Sequence, residues 1–305
     1  MRKIIITGAS GMIGANLVQV ALANGCEVLC IVRKNSLKVD NIPSDPRVKI
    51  VFFDANEYAH VILDERYDTF FHLAWDKTFG QGRDDLDSQI RNIQYTLDAV
   101  RLASRSGCTH FVGAGSQAEY GPVLEPINDR TITNPETGYG IAKYTAGKMA
   151  SVLARQFNLH FNWVRVLSVY GSLDNPHTLI MYVLNELNHG RSPELTKCEQ
   201  IWDYLFESDA AEAFYSIGER GKDGQFYVLG YGKGRRLKEY LEIINEKMKS
   251  KLNIVYGAKP YYVSQPMYLV ADIDDLHKDT GWSPLYSFED GIECVIKSIQ
   301  KGENE

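Results

Sequence analysis

Cysteine is scarce in this chain and forms no pattern. Five cysteines (Cys26, Cys30, Cys108, Cys198, Cys294) are scattered over 305 residues without a C-x-x-C pair. This excludes a disulfide framework or a thiolate zinc site and predicts reduced thiols in a cytoplasmic protein. The seven histidines are equally dispersed, so no metal is expected. Long apolar runs are missing too, and nothing approaches the roughly 20 residues of a membrane span. Met-Arg-Lys followed by Ile4-Ile5-Ile6 has the look of a leader, but Thr7-Gly8-Ala9-Ser10-Gly11 interrupts the apolar run. Nor is there an excess of positive charge. Lys and Arg number 33 against 39 Asp and Glu, a net −6 at pH 7, which argues against nucleic acid or an anionic membrane as partner. Internal repeats and low-complexity segments are absent. What remains is an ordinary globular composition, 44% hydrophobic, with length for one large domain or two smaller ones.

What is there alternates strand with helix. Lys3–Thr7, Glu27–Val32, Val48–Phe53, Thr69–Leu73, His110–Ala114 and His160–Val166 are short, nearly continuous apolar runs. Helical periodicity covers Met12–Asn24, Leu86–Arg105 and Tyr139–Phe157. Buried strands alternating with helices predict an α/β fold, a doubly wound parallel sheet of Rossmann type. After Gly171 the rhythm changes, with turn clusters at 172–176 and 191–193 and helices at Thr178–Asn188, Leu237–Met248 and in the tail. Residues 1–171 are read as a dinucleotide-binding domain, with a returning strand near 225–229. Residues 172–305 are read as a smaller substrate-binding lobe interleaved with it.

Gly8, Gly11 and Gly14 lie between the first strand and the first helix. There a dinucleotide pyrophosphate would rest on the helix N-terminus; three turn glycines without a ligand are the plainer alternative. The end of the second strand should meet the adenosine ribose, where an acid favours NAD and a base the 2′-phosphate of NADP. This chain has Arg33-Lys34 and no acid there, so NADP is expected, with NAD as the alternative cofactor and a merely solvated Arg33 as the alternative for the side chain. Asp54, next to Ala55, either contacts the adenine or caps the helix that follows.

Tyr139-Gly-Ile-Ala-Lys143, with Ser116 upstream, is the strongest signal. A Tyr and a Lys four apart share one helix face, and the ammonium can lower the phenol from its reference of about 10. Tyr144 and Lys148 repeat the spacing, but a five-residue shift turns them off that face. Beside a nicotinamide, such a pair serves as acid/base for a carbonyl–carbinol interconversion.

The set resembles the extended short-chain dehydrogenase/reductases, the NAD(P)-dependent epimerase/dehydratase group that acts largely on nucleotide sugars. The motifs that carry the likeness are Thr7-Gly-Ala-Ser-Gly-Met-Ile-Gly14, His72-Leu-Ala74, Asn92, Gly115-Ser116-Gln-Ala-Glu-Tyr-Gly121, Tyr139-x-x-x-Lys143, Arg165 through Gly171, Asp203-Tyr204 with Asp209, and Gly281-Trp-Ser-Pro284. The resemblance implies Tyr139 as acid/base, Lys143 on the nicotinamide ribose and Ser116 on the substrate oxygen. It implies cofactor contacts from Gly8, Ser10, Gly11, Met12, Ile13, Gly14, Arg33, Asp54 and Ala55, with Leu73, Ala74 and Trp75 on the nicotinamide side. Substrate contacts are expected from Ser116, Gln117, Tyr170, Lys197 and Trp202. A homodimer through the helices near 86–105 and 139–157 is implied as well.

Departures from the group narrow the chemistry. Sugar 4,6-dehydratases of this group carry an Asp-Glu pair where this chain has Gln117-Ala118, and alanine cannot transfer a proton. Arginines that often hold the substrate pyrophosphate are missing: Trp202 precedes Asp203-Tyr204, and Tyr261–Leu269 has no basic residue. Lys197, Arg191, Arg235 or Arg236 could substitute, and Trp202 either stacks on a base or packs in the core. The motif around Ser116 and the run Trp202-Asp-Tyr-Leu205 also resemble reductases of nucleotide-linked 4-keto-6-deoxyhexoses. The expectation is therefore an NADPH-dependent reductase. A nucleotide-sugar 4-epimerase with tightly bound NAD is the enzyme alternative, and a non-catalytic NADP-binding sensor the alternative of another class.

Overall fold

Side chains alternate across a strand, so a strand apolar along its whole length must be covered on both faces. The computed structural model, which describes residues 1–262 and 265–302, shows this in its first strand, β1 (Lys3–Thr7). Ile4 and Ile6 enter one core and Ile5 the other. Four strands follow the same logic, β2 (Glu27–Val32), β4 (Thr69–His72), β5 (His110–Ser116) and β6 (His160–Val166), whereas β3 (Val48–Phe52) is the edge strand and only partly covered. With the strand Phe226–Leu229 they form a seven-stranded sheet in the order Phe226–Leu229, β6, β5, β4, β1, β2, β3. Every pairing in it is parallel.

Helices α1 (Met12–Ala23), α2 (Leu86–Arg105) and α3 (Gly138–Gln156) lie where periodicity places them, within a residue or two. Leu97 and Val100 of α2 and Ala146, Ala150 and Ala154 of α3 cover Ile5, Phe70 and Phe111. The opposite face is covered by Leu17 and Val18 of α1 together with Ala210, Phe214 and Ile217 of a helix the sequence reading passed over, Glu207–Arg220.

Beyond residue 171 the chain thus returns twice to the main sheet, with that helix and with Phe226–Leu229. The remainder builds a lobe around Tyr170, Tyr240, Phe288 and Ile292. A three-stranded sheet (Arg235–Arg236, Ile201–Trp202, Tyr268–Leu269) belongs to it. Asp203 knots lobe to sheet: its carboxylate accepts from the N–H groups of Tyr231 (2.6 Å), Gly232 (2.8 Å) and Ala271 (3.1 Å). No helix among the described residues is long and apolar enough to cross a membrane.

Candidate active site

A doubly wound sheet opens a crevice at the carboxyl ends of its strands, where the strand order reverses. Here that point lies between β1 and β4. Gly8 leaves β1 at φ 73°, a conformation that favours glycine. A Cβ on it would lie 2.8 Å from the Ala74 nitrogen and the Leu73 carbonyl carbon. Gly11 is the N-cap of α1 and supplies no side-chain cap, so the first-turn N–H groups are left for an anion. Gly14 serves packing. It is buried, and a Cβ there would lie 2.2 Å from the Gly8 oxygen, so its role is the close approach of helix to loop. Met12 and Ile13 form the same first turn, and neither they nor Gly14 line the crevice.

The crevice is a cavity of about 590 Å³. Gly8, Ser10, Gly11, Arg33, Asp54, Ala55, Leu73, Ala74 and Trp75 line it, and so do Ser36 and Lys38. Lys34 turns to Glu57 instead, at 2.8 Å. Asp54 begins the turn 55–57: its carboxylate accepts from the Lys34 N–H at 3.1 Å, and Glu57 accepts from its N–H at 2.7 Å. A glycine cradle, an uncapped helix start and two cations on one wall fit a dinucleotide. They leave no acid at the end of β2 to face a ribose 2′-hydroxyl.

β5 runs on to Ser116, which places that side chain at the sheet's carboxyl edge and makes it the N-cap of the turn 117–119; its Oγ accepts from the Ala118 N–H at 3.2 Å. Thr137 caps α3 by accepting from the Gly140 N–H at 3.0 Å, which puts Tyr139 in the first turn and Lys143 one turn on. The Lys143 Nζ donates to the Ala114 oxygen at 2.7 Å and lies 3.8 Å from the Trp75 ring centroid. Burial pushes this ammonium down to about 7 against a smaller opposing pull from Glu119. Tyr139 meets the edge of Trp75, with ring centroids 6.1 Å apart. Burial raises its phenol above the usual range and Glu119 adds to this, while a hydrogen bond with Ser116 and the charge of Arg83 act in the other direction. The Lys143 ammonium is directed at the Ala114 oxygen.

Glu119 is no acid/base. It is fully buried and accepts from the Ser116 N–H (3.0 Å), Trp163 Nε1 (2.9 Å) and Arg165 Nε (2.7 Å). His72 is likewise packed, its ring nitrogens 2.9 Å from Thr7 Oγ1 and 3.3 Å from Thr96 Oγ1. Burial takes it down to about 3, so it is neutral.

A second cavity, of about 770 Å³, adjoins this group, and Gln117, Ala118, Thr137 and Trp202 are on its wall. Trp202 also donates from Nε1 to Ser168 Oγ at 2.8 Å. Two expected substrate residues are elsewhere. Tyr170 is 1% exposed, packed on Phe206 and Phe288, and donates to the Phe288 oxygen; it is core. Lys197 is exposed and outside the cavity wall. Arg191 and Arg235 are tied to Glu186 and Glu289. The lysine on the wall is Lys259, 5.1 Å from the Tyr182 ring centroid. It stands just before the stretch without basic residues, a position the sequence reading did not weigh.

Also unforeseen were Gln89 and the use made of Asn92. Gln89 accepts from Trp75 Nε1 (2.9 Å) and donates to the Lys77 and Gly82 oxygens. Asn92 accepts from the Asp76 N–H and donates to its oxygen. The signal was there: Gln89, Asn92 and Thr96 fall at i, i+3 and i+7, three polar residues on the buried face of α2.

A model of the NAD dependent epimerase/dehydratase family matches residues 4–230. The chain is 22% identical to dTDP-4-dehydro-6-deoxyglucose reductase of Escherichia coli, over 97% of both chains. It is 25% identical to CDP-abequose synthase of Salmonella typhimurium, over 97% of this chain and 98% of that one. In structure it superposes on the UDP-glucose 4-epimerase of Thermotoga maritima, solved with UDP-glucose, with a TM-score of 0.88, 22% identity and 99% of each chain covered.

Proposed function

The chain belongs to the NAD dependent epimerase/dehydratase family, and within it we propose an NADPH-dependent reductase of a nucleotide-linked keto sugar, a 4-keto-6-deoxyhexose. The observation that carries this reading is the adenosine end of the crevice, where Arg33 and Lys38 stand on the wall and no acid closes β2. A 2′-phosphate is stabilised by such cations, and a reductase that consumes reducing equivalents is suited to NADPH. Dehydration is disfavoured because Gln117 and Ala118 carry no transferable proton at the cavity wall and the Glu119 carboxylate is occupied.

When bound, the dinucleotide supplies the hydride. Tyr139 gives its proton to the oxygen of the carbonyl being reduced, and the Ser116 hydroxyl holds the same oxygen by a hydrogen bond. Lys143 offsets the charge left on the phenolate. Trp202 and Gln117 contact the substrate, and Lys259 takes the diphosphate role expected of Lys197. We propose a homodimer through α2 and α3.

The test follows nicotinamide absorbance with NADPH, then NADH, against a panel of nucleotide-linked 4-keto-6-deoxy sugars. Preferential consumption of NADPH is expected. No consumption, with a nucleotide-linked hexose bearing a C4 hydroxyl converted to its C4 epimer in a parallel sample, would replace the reductase by an epimerase carrying NAD.

A further inference from the structure

The loop between β4 and α2 brings a cation to the larger cavity that the mechanism above leaves unused. The Arg83 guanidinium borders that cavity and lies 4.7 Å from the centroid of the Tyr139 ring. A ring face attracts its charge but supplies no ordinary acceptor for its five N–H donors. Its Nε is buried and has no hydrogen-bond partner among the described residues. A buried donor left unmade is costly, so such a group in a folded protein calls for a partner from outside the chain.

The acids next to it in sequence are engaged elsewhere. Asp84 accepts from the Gly138 N–H at 2.8 Å, and Asp85 accepts from the Ser88 N–H and pairs with Lys77. On the other side, the Gly82 oxygen accepts from Gln89 at 3.1 Å. These bonds hold the backbone around Arg83 and leave its side chain on the cavity wall. Arg83 is not on the wall of the dinucleotide crevice. The partner it lacks therefore belongs to the substrate side.

We infer that Arg83 binds the sugar and reads the substituent on C3, the carbon next to the one reduced. The inference rests on the proposed reduction of a 4-keto-6-deoxyhexose with a proton from Tyr139. That proton transfer brings C4 to the phenol, and the carbonyl oxygen is taken by Tyr139 and Ser116. Of the two flanking carbons, C5 carries a methyl group and the ring oxygen, whereas C3 carries a hydroxyl. The C3 hydroxyl is thus the one hydroxyl adjacent to the reacting centre, and the guanidinium beside Tyr139 is its donor. A guanidinium stays charged throughout the working range, and a hydrogen bond to a charged group discriminates more strongly than a neutral one. A sugar without the C3 hydroxyl leaves Arg83 unpaired, so the site disfavours it.

The experiment compares kcat/KM for two substrates with the same nucleotide, a 4-keto-6-deoxyhexose and its 3-deoxy counterpart. Parent, Arg83→Met and Arg83→Lys are each given both, and NADPH affinity is measured by fluorescence titration. The parent should prefer the 3-hydroxy sugar by about 10- to 100-fold. Arg83→Met should bring the ratio close to one, and Arg83→Lys, which keeps a donor, should fall between. All three should bind NADPH alike. Because the ratio is taken within one protein, a loss of folded enzyme cancels from it. A parent without the preference overturns the assignment whatever the variants do, and so does a preference that survives in Arg83→Met. A parent that reduces neither sugar with NADPH overturns instead the reading on which the assignment rests, so the two failures are distinguishable.

Discussion

Tyr139 is pulled in two directions. Burial and Glu119 hold its proton on, while Ser116 and Arg83 loosen it. A phenol held above its ordinary range is protonated at neutral pH, which is the form reduction requires. Tyr139→Phe should lower kcat by about 10²- to 10⁴-fold with dinucleotide affinity unchanged, as steady-state kinetics and a binding titration would show. The proximity of Ser116, Tyr139 and Lys143 was legible because a strand end and a helix start turn their spacing into neighbourhood. Tyr170 was not. The family resemblance put it among the substrate contacts, and only the packing of Phe206 and Phe288 around it shows a core position. The exchange of Lys197 for Lys259 has the same origin, since which lysine faces a cavity depends on how the lobe folds back.

At the scale of elements, the sheet was legible because strands covered on both faces are apolar without alternation. The helix Glu207–Arg220 escaped for the converse reason. Two acids in its first turn, Glu207 and Asp209, are buried, and they accept from the N–H groups of Ser172, Leu285 and Tyr286. Of its other buried positions only Phe214 and Ile217 are large and apolar, the rest being Ala, Ser and Gly, so charge and small residues stand where an apolar stripe would announce a helix. The glycine loop carries this scale's prediction. Gly14→Ala puts a methyl 2.2 Å from the Gly8 oxygen and must part α1 from its loop. It should cost about 1–3 kcal/mol of stability and weaken dinucleotide binding more than Gly25→Ala, whose new methyl meets nothing within 4 Å although its φ of 78° makes it a strained control. Chemical denaturation and a binding titration check both parts.

For the whole molecule, the outer faces of α2 and α3 carry apolar side chains that nothing within the chain covers. Ile90 is 63% exposed and Leu86 61%, and Ile141, Met149 and Val152 follow helical spacing on α3 with about half of each side chain in solvent. Apolar side chains exposed together on neighbouring helices are candidates for an association surface. Light scattering should give twice the monomer mass for the parent, and Ile90→Glu with Met149→Glu should return it to the monomer; a monomeric parent would contradict the proposed dimer. The account as a whole stands on hydride reaching the sugar with a proton from Tyr139. The most direct measurement gives the enzyme a 4-keto-6-deoxy sugar nucleotide and NADPH deuterated at its transferable position, and locates the label by NMR. Deuterium on C4 of the product, with one NADP formed for each sugar reduced, is the predicted result. Recovery of the 4-keto sugar nucleotide free of deuterium, with the NADPH unspent, would contradict it.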